Sequence, residues 1–151
     1  MNIIKDDLKG PQIKALLQEH LDDMYATSPP ESVHALDITA LRQSNIEFWT
    51  AWKDEELLGC IALKELDAGH GEIKSMRTSH QARGKGIAKS LLNHLIAQAS
   101  QRGLARLSLE TGTEDYFTAA RTLYLGAGFI ECDPFADYVR DPNSVFMTKK
   151  L

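Results

Sequence analysis

A short segment near the middle of the chain combines glycines with cations: Arg83-Gly84-Lys85-Gly86-Ile87-Ala88. Glycines at a turn allow successive backbone N–H groups to converge on one anion, and a helix that begins there adds the positive end of its dipole. Lys89 follows at once, so three cations lie within seven residues that contain no acid. The pattern predicts a pyrophosphate site. The competing interpretation is a plain turn, in which the glycines serve only the backbone and the cations are solvated.

The glycine spacing excludes two other phosphate-binding loops. A P-loop has four residues between its first glycine and a Gly-Lys-Ser/Thr triplet, and a dinucleotide fingerprint has the pattern Gly-x-Gly-x-x-Gly within a βαβ unit. Gly84 and Gly86 fit neither pattern. A nucleotide-binding module is therefore only a third hypothesis for this chain.

The elements around this segment must place it between a strand and a helix. The helix is predicted by apolar residues at helical spacing, and Gly103 suits a left-handed end. These apolar residues are Ile87, Leu91, Leu92, Leu95, Ile96 and Ala99. The strand is predicted over 72–78, as the third of three consecutive antiparallel strands that begin with a hairpin of 46–52 and 57–66.

Further elements are indicated on both sides of this region. The apolar spacing over 13–24, after Pro11, predicts a first helix, and a shorter helix is predicted over 32–42 with Ser32 as its cap. The remaining predicted elements are a strand over 105–111, a helix over 116–125 and strands over 129–132 and 144–149. The expected fold class is α/β, of the α+β kind, with a mixed, mostly antiparallel sheet flanked by helices in one domain over 1–151.

Length and composition exclude several classes of protein. A chain of 151 residues suits one domain, and 43% hydrophobic with 25% charged residues is typical of globular proteins. The formal net charge of −4 argues against a dedicated nucleic-acid binder. No run approaches the ~18 to 20 apolar residues of a spanning helix. The amino end lacks the pattern of a secretory signal, so we expect a cytoplasmic protein that binds neither nucleic acid nor membrane.

The cysteines and histidines do not indicate a metal site. Cys60 and Cys132 lie far apart without a Cys-x-x-Cys spacing, and the five histidines show no His-Glu-x-x-His pattern. We expect no metal, and we interpret both cysteines as small buried apolar residues.

Two segments resemble the GCN5-related N-acetyltransferase (GNAT) superfamily. Its coenzyme loop has the pattern Arg/Gln-x-x-Gly-x-Gly/Ala, whose fixed positions are matched by Arg83, Gly86 and Ala88. An earlier register, from Gln81, also matches, but the first register puts the loop directly against the helix. Downstream, residues 120–129 look like the family's Ala-x-x-Leu-Tyr-x-x-x-Gly-Phe segment.

The resemblance implies acetyl-coenzyme A as co-substrate, held where the fourth and fifth strands of a twisted sheet splay apart. Backbone groups of Met76 and Thr78 are then expected to pair with the pantetheine arm and the acetyl carbonyl. The N–H groups of 84–88 are expected to hold the pyrophosphate. The full set of expected coenzyme-binding residues is Met76, Thr78, Arg83, Gly84, Lys85, Gly86, Ile87, Ala88 and Lys89.

The resemblance also suggests two catalytic residues. Tyr124 matches the tyrosine that often serves as general acid toward the coenzyme sulfur; the alternative is a core aromatic. For the base we select Glu72, because it begins the strand on the face predicted to carry Lys74 and Met76. The alternative is that Glu72 only pairs with Lys74 or with a neighbouring strand. Phe117 departs from the family, since many relatives carry an asparagine there that would contact the coenzyme.

The acceptor pocket is less clearly indicated. In this family the connection between the first two helices often covers the acceptor, which points to Glu31 and His34; Tyr138, before the last strand, could close the other side. The alternative for the connection is a rigid surface loop.

The expected activity is transfer of the acetyl group of acetyl-coenzyme A to a primary amine of a small molecule or peptide, directly and in a ternary complex. No nucleophile constellation suggests an acetyl-enzyme. The alternative is a non-catalytic acyl-coenzyme A sensor with the same fold. A homodimer is possible, because similar proteins commonly dimerise.

Overall fold

The computed structural model describes residues 1–35 and 37–151. The strands are β1 (Asn2–Lys5), β2 (Ile46–Lys53), β3 (Glu56–Asp67), β4 (His70–Thr78), β5 (Arg106–Gly112), β6 (Ile130–Cys132) and β7 (Ser144–Lys150). The α-helices are α1 (Pro11–Thr27), α2 (Ile38–Leu41), α3 (Ile87–Gln101) and α4 (Thr118–Gly126). Short 3₁₀ turns cover Pro30–Ser32, His80–Ala82 and Asp115–Phe117. No helix in these two ranges has the length and apolar character needed to cross a membrane.

The strands form one sheet in the order β1-β2-β3-β4-β5-β7-β6. Neighbouring strands are antiparallel except β4 and β5, which are parallel and share only the pairs His70↔Arg106, Gly71↔Leu107 and Glu72↔Ser108. Beyond Glu72 the two strands have no further register pairs, so they diverge. The predicted mixed, mostly antiparallel sheet flanked by helices is confirmed.

A β-bulge interrupts β4 shortly after the two strands separate. The register with β3 shifts between the pairs Cys60↔Arg77 and Ala62↔Lys74, and Ser75 has a positive φ of 52°. The extra residue reverses the alternation of side chains. Met76 consequently packs against the cluster that contains Ile73, on the face opposite Glu72. The prediction that Glu72, Lys74 and Met76 share one face is therefore wrong for Met76.

The core lies on both faces of the sheet. One cluster packs α3 and α4 against the sheet. Of the six α3 residues that the spacing predicted for the core face, Ile96 is partly buried and the other five are buried: Ile87, Leu91, Leu92, Leu95 and Ala99. The second cluster packs α1 on the other face through Ile13, Leu16 and Leu17. Gly103 has the expected positive φ, at 77°, just after α3.

The first part of the chain differs most from prediction. The strand β1 was not predicted from the sequence; it pairs with β2 from Asn2↔Trp52 to Lys5↔Trp49. The helix predicted over 32–42 includes a residue outside the described ranges. Among the described residues of this span, the α-helix is α2 alone. The cap of α2 is Asp37, whose side chain accepts a hydrogen bond from Ala40 N–H over 2.8 Å. Ser32 is not its cap, because the Ser32 hydroxyl donates to Asp141 over 2.6 Å.

Gly59 on β3 allows the backbone of β4 to approach closely. A Cβ at Gly59 would lie 2.7 Å from the carbonyl oxygen of Arg77, inside van der Waals contact. We expect Gly59→Ala to lower the free energy of unfolding by about 1 to 3 kcal/mol, because backbone must shift to admit the methyl group.

Urea denaturation measures this effect, with Gly126→Ala as the matched control. An added Cβ at Gly126 has no neighbour within 4 Å. A Gly59→Ala variant as stable as the Gly126→Ala variant would contradict the close approach.

Candidate active site

A cavity of about 510 Å³ opens where β4 and β5 diverge. Its walls come from α1, the α1–α2 connection, β4, the loop before α3, β5, α4 and the β6–β7 loop. Most of the predicted site residues line it: His34, Glu72, Met76, Thr78, Arg83, Gly84, Gly86, Ile87, Ala88, Lys89, Tyr124 and Tyr138. Lys85 and Glu31 are exposed and are not among the lining residues.

One end of the cavity is formed by the glycine-rich segment. Gly84 and Gly86 have positive φ values of 77° and 79°, and a Cβ at either position would find no atom within 4 Å. The first intrahelical bond of α3 runs from Ser90 N to Gly86 O, over 3.1 Å. The N–H groups before Ser90 therefore have no helical acceptor, as is normal at a helix start, and they are free to bind an anion.

Tyr124 lies in the middle of the cavity wall, on α4. Its hydroxyl is 3.7 Å from Met76 Sδ, and its ring makes an edge contact with Phe129 at 5.7 Å. Burial raises the pKa of Tyr124 above the ordinary phenol value. At neutral pH the phenol is protonated, and it can donate a hydrogen bond to a group that enters between β4 and α4.

Glu72, Lys74 and Tyr138 form a hydrogen-bonded group at the opposite end of the cavity. The Tyr138 hydroxyl donates to Glu72 Oε2 over 2.6 Å, and Lys74 Nζ lies 3.2 Å from the same oxygen and 2.8 Å from the Tyr138 oxygen. Burial and then the charge of Glu72 raise the pKa of Tyr138. The pairing of Glu72 with Lys74, which the sequence left open as the alternative to a role as base, is present, together with Tyr138, which was predicted for the acceptor pocket.

His34 and Glu110 form a second pair at this end. His34 Nδ1 is 2.7 Å from both carboxylate oxygens of Glu110, and the Ser144 hydroxyl donates to Glu110 Oε2 over 2.9 Å. The His34 ring also contacts Tyr138 edge-on at 5.2 Å. Glu110 was not predicted from the sequence; the available signal was its position two residues after Ser108, on the face of β5 opposite the core residues Leu107 and Leu109.

The α1–α2 connection is attached to the β6–β7 loop. Ser32 donates to Asp141, and the Asn143 backbone N–H donates to the other oxygen of Asp141 over 2.8 Å. Glu31 lies beside this attachment in the 3₁₀ turn Pro30–Ser32, with its side chain on the outer surface. The connection thus presents His34, and not Glu31, to the cavity.

Arg77 occupies the centre of a polar cluster between β4 and α1. Its guanidinium Nη2 lies 2.5 Å from Glu19 Oε1 and 2.6 Å from Asp23 Oδ2, and Nη1 donates to the Tyr116 hydroxyl over 2.8 Å. Glu19, Asp23 and His80 hold potential ligand atoms within 4.8 Å of one another. Since the arginine already supplies the positive charge between them, the donor set does not suit a metal ion.

Phe117 and Cys60 occupy packing positions. Phe117 is buried, and a Cβ at Gly112 would lie 2.2 Å from its ring, so the position where relatives carry asparagine is packed against β5. Cys60 is fully buried, its thiol donates to the Ser75 carbonyl over 3.2 Å, and burial raises its pKa to about 12. A thiol in this state is a poor nucleophile.

The Acetyltransferase (GNAT) family matches residues 13–129. The chain belongs to this family. YsnE of Bacillus subtilis (strain 168), an uncharacterized N-acetyltransferase, is 58% identical over 151 residues, which are 100% of both chains. YedL of Escherichia coli (strain K12), also an uncharacterized N-acetyltransferase, is 49% identical over 146 residues, which are 97% of this chain and 92% of YedL.

Among solved structures, the PaiA N-acetyltransferase of Thermoplasma acidophilum in complex with coenzyme A has a TM-score of 0.73 and 19% identity over 100% of both chains. That likeness shows the shared fold. The family match and the two relatives show that the protein is an acyltransferase that uses acetyl-coenzyme A, as the glycine-rich segment and the segment around Tyr124 led us to predict.

His20 on α1 also lines the cavity, and its titration gives a test of the site's electrostatics. Burial, followed by the charge of Arg77, lowers the pKa of His20 from 6.5 to about 4. Between these values the unfolded chain binds a proton that the folded chain does not, so this group makes the fold less stable as pH falls from 7 to 5.

We expect His20→Gln to lose less stability on acidification than the wild type does, by roughly 1 to 2 kcal/mol between pH 7 and pH 5. Urea denaturation of both proteins at the two pH values measures the difference. Equal acid sensitivity of the two proteins would show that His20 is not kept neutral by its surroundings.

Proposed function

We propose that the protein transfers the acetyl group of acetyl-coenzyme A directly to a primary amine of a small molecule or peptide, in a ternary complex. The observation that carries this proposal is the continuity of one cavity. It joins the amide-rich start of α3, the buried phenol of Tyr124 and a second end that carries the carboxylates Glu72 and Glu110. Both substrates can therefore meet in one space, with the phenol between their ends.

The coenzyme is proposed to enter along the open edge of β4. Met76 and Thr78 lie beyond the last pair with β5, so their backbone groups on that side have no strand partner and can pair with the pantetheine amides. The pyrophosphate binds the N–H groups of 84–88. Arg83 and Lys89 line this end and add charge, whereas Lys85 contributes from outside the cavity wall.

The acceptor end is suited to a cationic amine. A lysine-like amine has a pKa of about 10.4, so freeing its lone pair at neutral pH costs roughly 4 to 5 kcal/mol. The carboxylate of Glu110 can attract the ammonium form, while the apolar part of the cavity wall disfavours a charge on the bound ligand. His34 and Tyr138, which line this end, are the proposed acceptor contacts, and Glu31 is left out because its exposed side chain is not among the lining residues.

Proton transfer at the two reacting atoms completes the proposal. Tyr124 is proposed to donate to the departing thiolate, the role that the sequence suggested; its hydroxyl lies 3.7 Å from Met76 Sδ, beside the strand edge along which the pantetheine arm is proposed to run. Glu72 is the base proposed from the sequence, and its Oε2 is already engaged by Tyr138 and Lys74. The buried, protonated Cys60 supports direct transfer over an acetyl-cysteine intermediate.

Three further expectations from the sequence concern the number of domains, the location in the cell and the oligomeric state. Residues 1–151 are proposed to form one domain, because both core clusters pack on the same sheet. A cytoplasmic location and a homodimer remain proposals.

A screen of amine classes tests the function. We expect thiol release from acetyl-coenzyme A that depends on an added amine, and we expect Tyr124→Phe to lower kcat by about 10² or more while the affinity for acetyl-coenzyme A stays within twofold, because only the leaving-group proton is lost.

Tyr25→Phe is the matched control, since Tyr25 is exposed on α1. Binding of acetyl-coenzyme A without thiol release for any amine would identify the protein as a sensor instead of a transferase. An unchanged kcat in Tyr124→Phe would remove Tyr124 from the reaction.

A further inference from the structure

We infer that the proton acceptor for the amine is Nε2 of His34, with Glu110 as its positioning residue. The inference rests on the proposed function and concerns the step for which the sequence suggested Glu72. Its basis is the hydrogen bonding of three neighbouring side chains at the acceptor end: His34, Glu110 and Glu72.

The contact with Glu110 determines which nitrogen of His34 is available. A carboxylate accepts hydrogen bonds, so Nδ1, at 2.7 Å from both of its oxygens, must carry a proton. Neutral imidazole then has its lone pair on Nε2. Among the described residues Nε2 has no hydrogen-bond partner, and the His34 side chain lines the cavity with 35% of its surface exposed. The lone pair on Nε2 of His34 is therefore available at the acceptor end of the cavity.

The orientation of this pair is fixed by residues from two further segments, β7 and the β6–β7 loop. Glu110 is held by the Ser144 hydroxyl from β7, and its side chain is only 11% exposed. Tyr138 contacts the imidazole edge-on. Such a carboxylate–imidazole arrangement holds one tautomer and one ring orientation, which is what a general base requires.

Glu72 is less suited to this step because its charge is already compensated. Its side chain is 3% exposed, and Oε2 accepts from the Tyr138 hydroxyl and from Lys74. The ammonium group of Lys74 lies within 3.2 Å and stabilises the carboxylate as a charged acceptor. We assign Glu72 to the positioning of Lys74 and Tyr138.

The charged and titratable groups around His34 come from each neighbouring element. They are Glu110 on β5, Tyr138 and Asp141 in the β6–β7 loop, Glu72 and Lys74 on β4, and His20 on α1. With Lys74 paired to Glu72, the carboxylate of Glu110 remains to attract an ammonium ion toward the imidazole.

The proton balance of the reaction is then complete. The acceptor enters as an ammonium ion and gives one proton to Nε2 of His34, which passes it to solvent. The amine nitrogen attacks the thioester carbon, an N–C bond forms and the C–S bond breaks. The thiolate takes the phenolic proton of Tyr124, and the second amine proton restores that phenol. The products are an acetamide, a free thiol and one proton released to solvent.

Chemical rescue of His34→Ala tests the assignment. With an amine that the wild type acetylates, we expect the variant's kcat to be lower by about 10² or more, while its affinity for acetyl-coenzyme A stays within twofold. Added imidazole should raise the variant's kcat at least tenfold. Glu72→Gln should keep more than a tenth of the wild-type kcat. His70→Ala is the matched control: His70 bonds Ser108 outside the cavity wall, and imidazole should not change its rate.

Three outcomes would overturn the inference: an unchanged kcat in His34→Ala, a loss that imidazole does not restore, or a larger loss in Glu72→Gln than in His34→Ala. Should the alanine variant not fold, nitrogen-15 NMR of histidine in the wild type decides. A protonated Nδ1 with an unprotonated Nε2 supports the assignment, and the opposite tautomer overturns it. If the wild type itself transfers no acetyl group, it is the proposed function that fails.

Discussion

The structure depends on the early separation of β4 and β5. Parallel pairing ends at Glu72↔Ser108, and the bulge at Ser75 then redirects the rest of β4 toward α1 and the loop before α3. Holding a serine at a φ of 52° costs on the order of 1 kcal/mol, which the flanking pairs with β3 offset. The separation leaves one edge of β4 without a strand partner. Buried backbone groups need partners, and an elongated ligand with amides of its own can supply them.

The two ends of the cavity have opposite electrostatic character. Cations and free amides collect at the start of α3, although the whole chain has a net charge of −4. At the other end the carboxylates Glu72 and Glu110 face the space between the strands, and only Glu72 is paired with a lysine. Under the proposed function, this difference draws the anionic coenzyme and a cationic acceptor to different ends. Tyr124, the proposed acid toward the coenzyme sulfur, lies between them and contacts Met76 and Phe129.

Local patterns predicted the parts of the fold that local interactions determine. The spacing of apolar residues gave α3 and its buried face, and the β2–β3 hairpin followed from its polar turn. The short edge strand β1 was missed because its strand partner, β2, lies more than forty residues away along the chain. The bulge at Ser75 was missed because serine does not signal a left-handed conformation. The His34–Glu110 contact joins residues 76 positions apart, so only the assembled sheet and its covering loop could show it.

The most direct test of this account is a titration of nitrogen-15-labelled protein with coenzyme A, followed by amide NMR. The account predicts that the amide resonances of Met76, Thr78 and residues 84–88 shift together and saturate with a single affinity. Amides on the opposite edge of the sheet, in β1, should not move. Saturating binding that leaves 84–88 unperturbed, or no binding at millimolar coenzyme A, would contradict the claim that the gap between β4 and β5 is where the coenzyme is held.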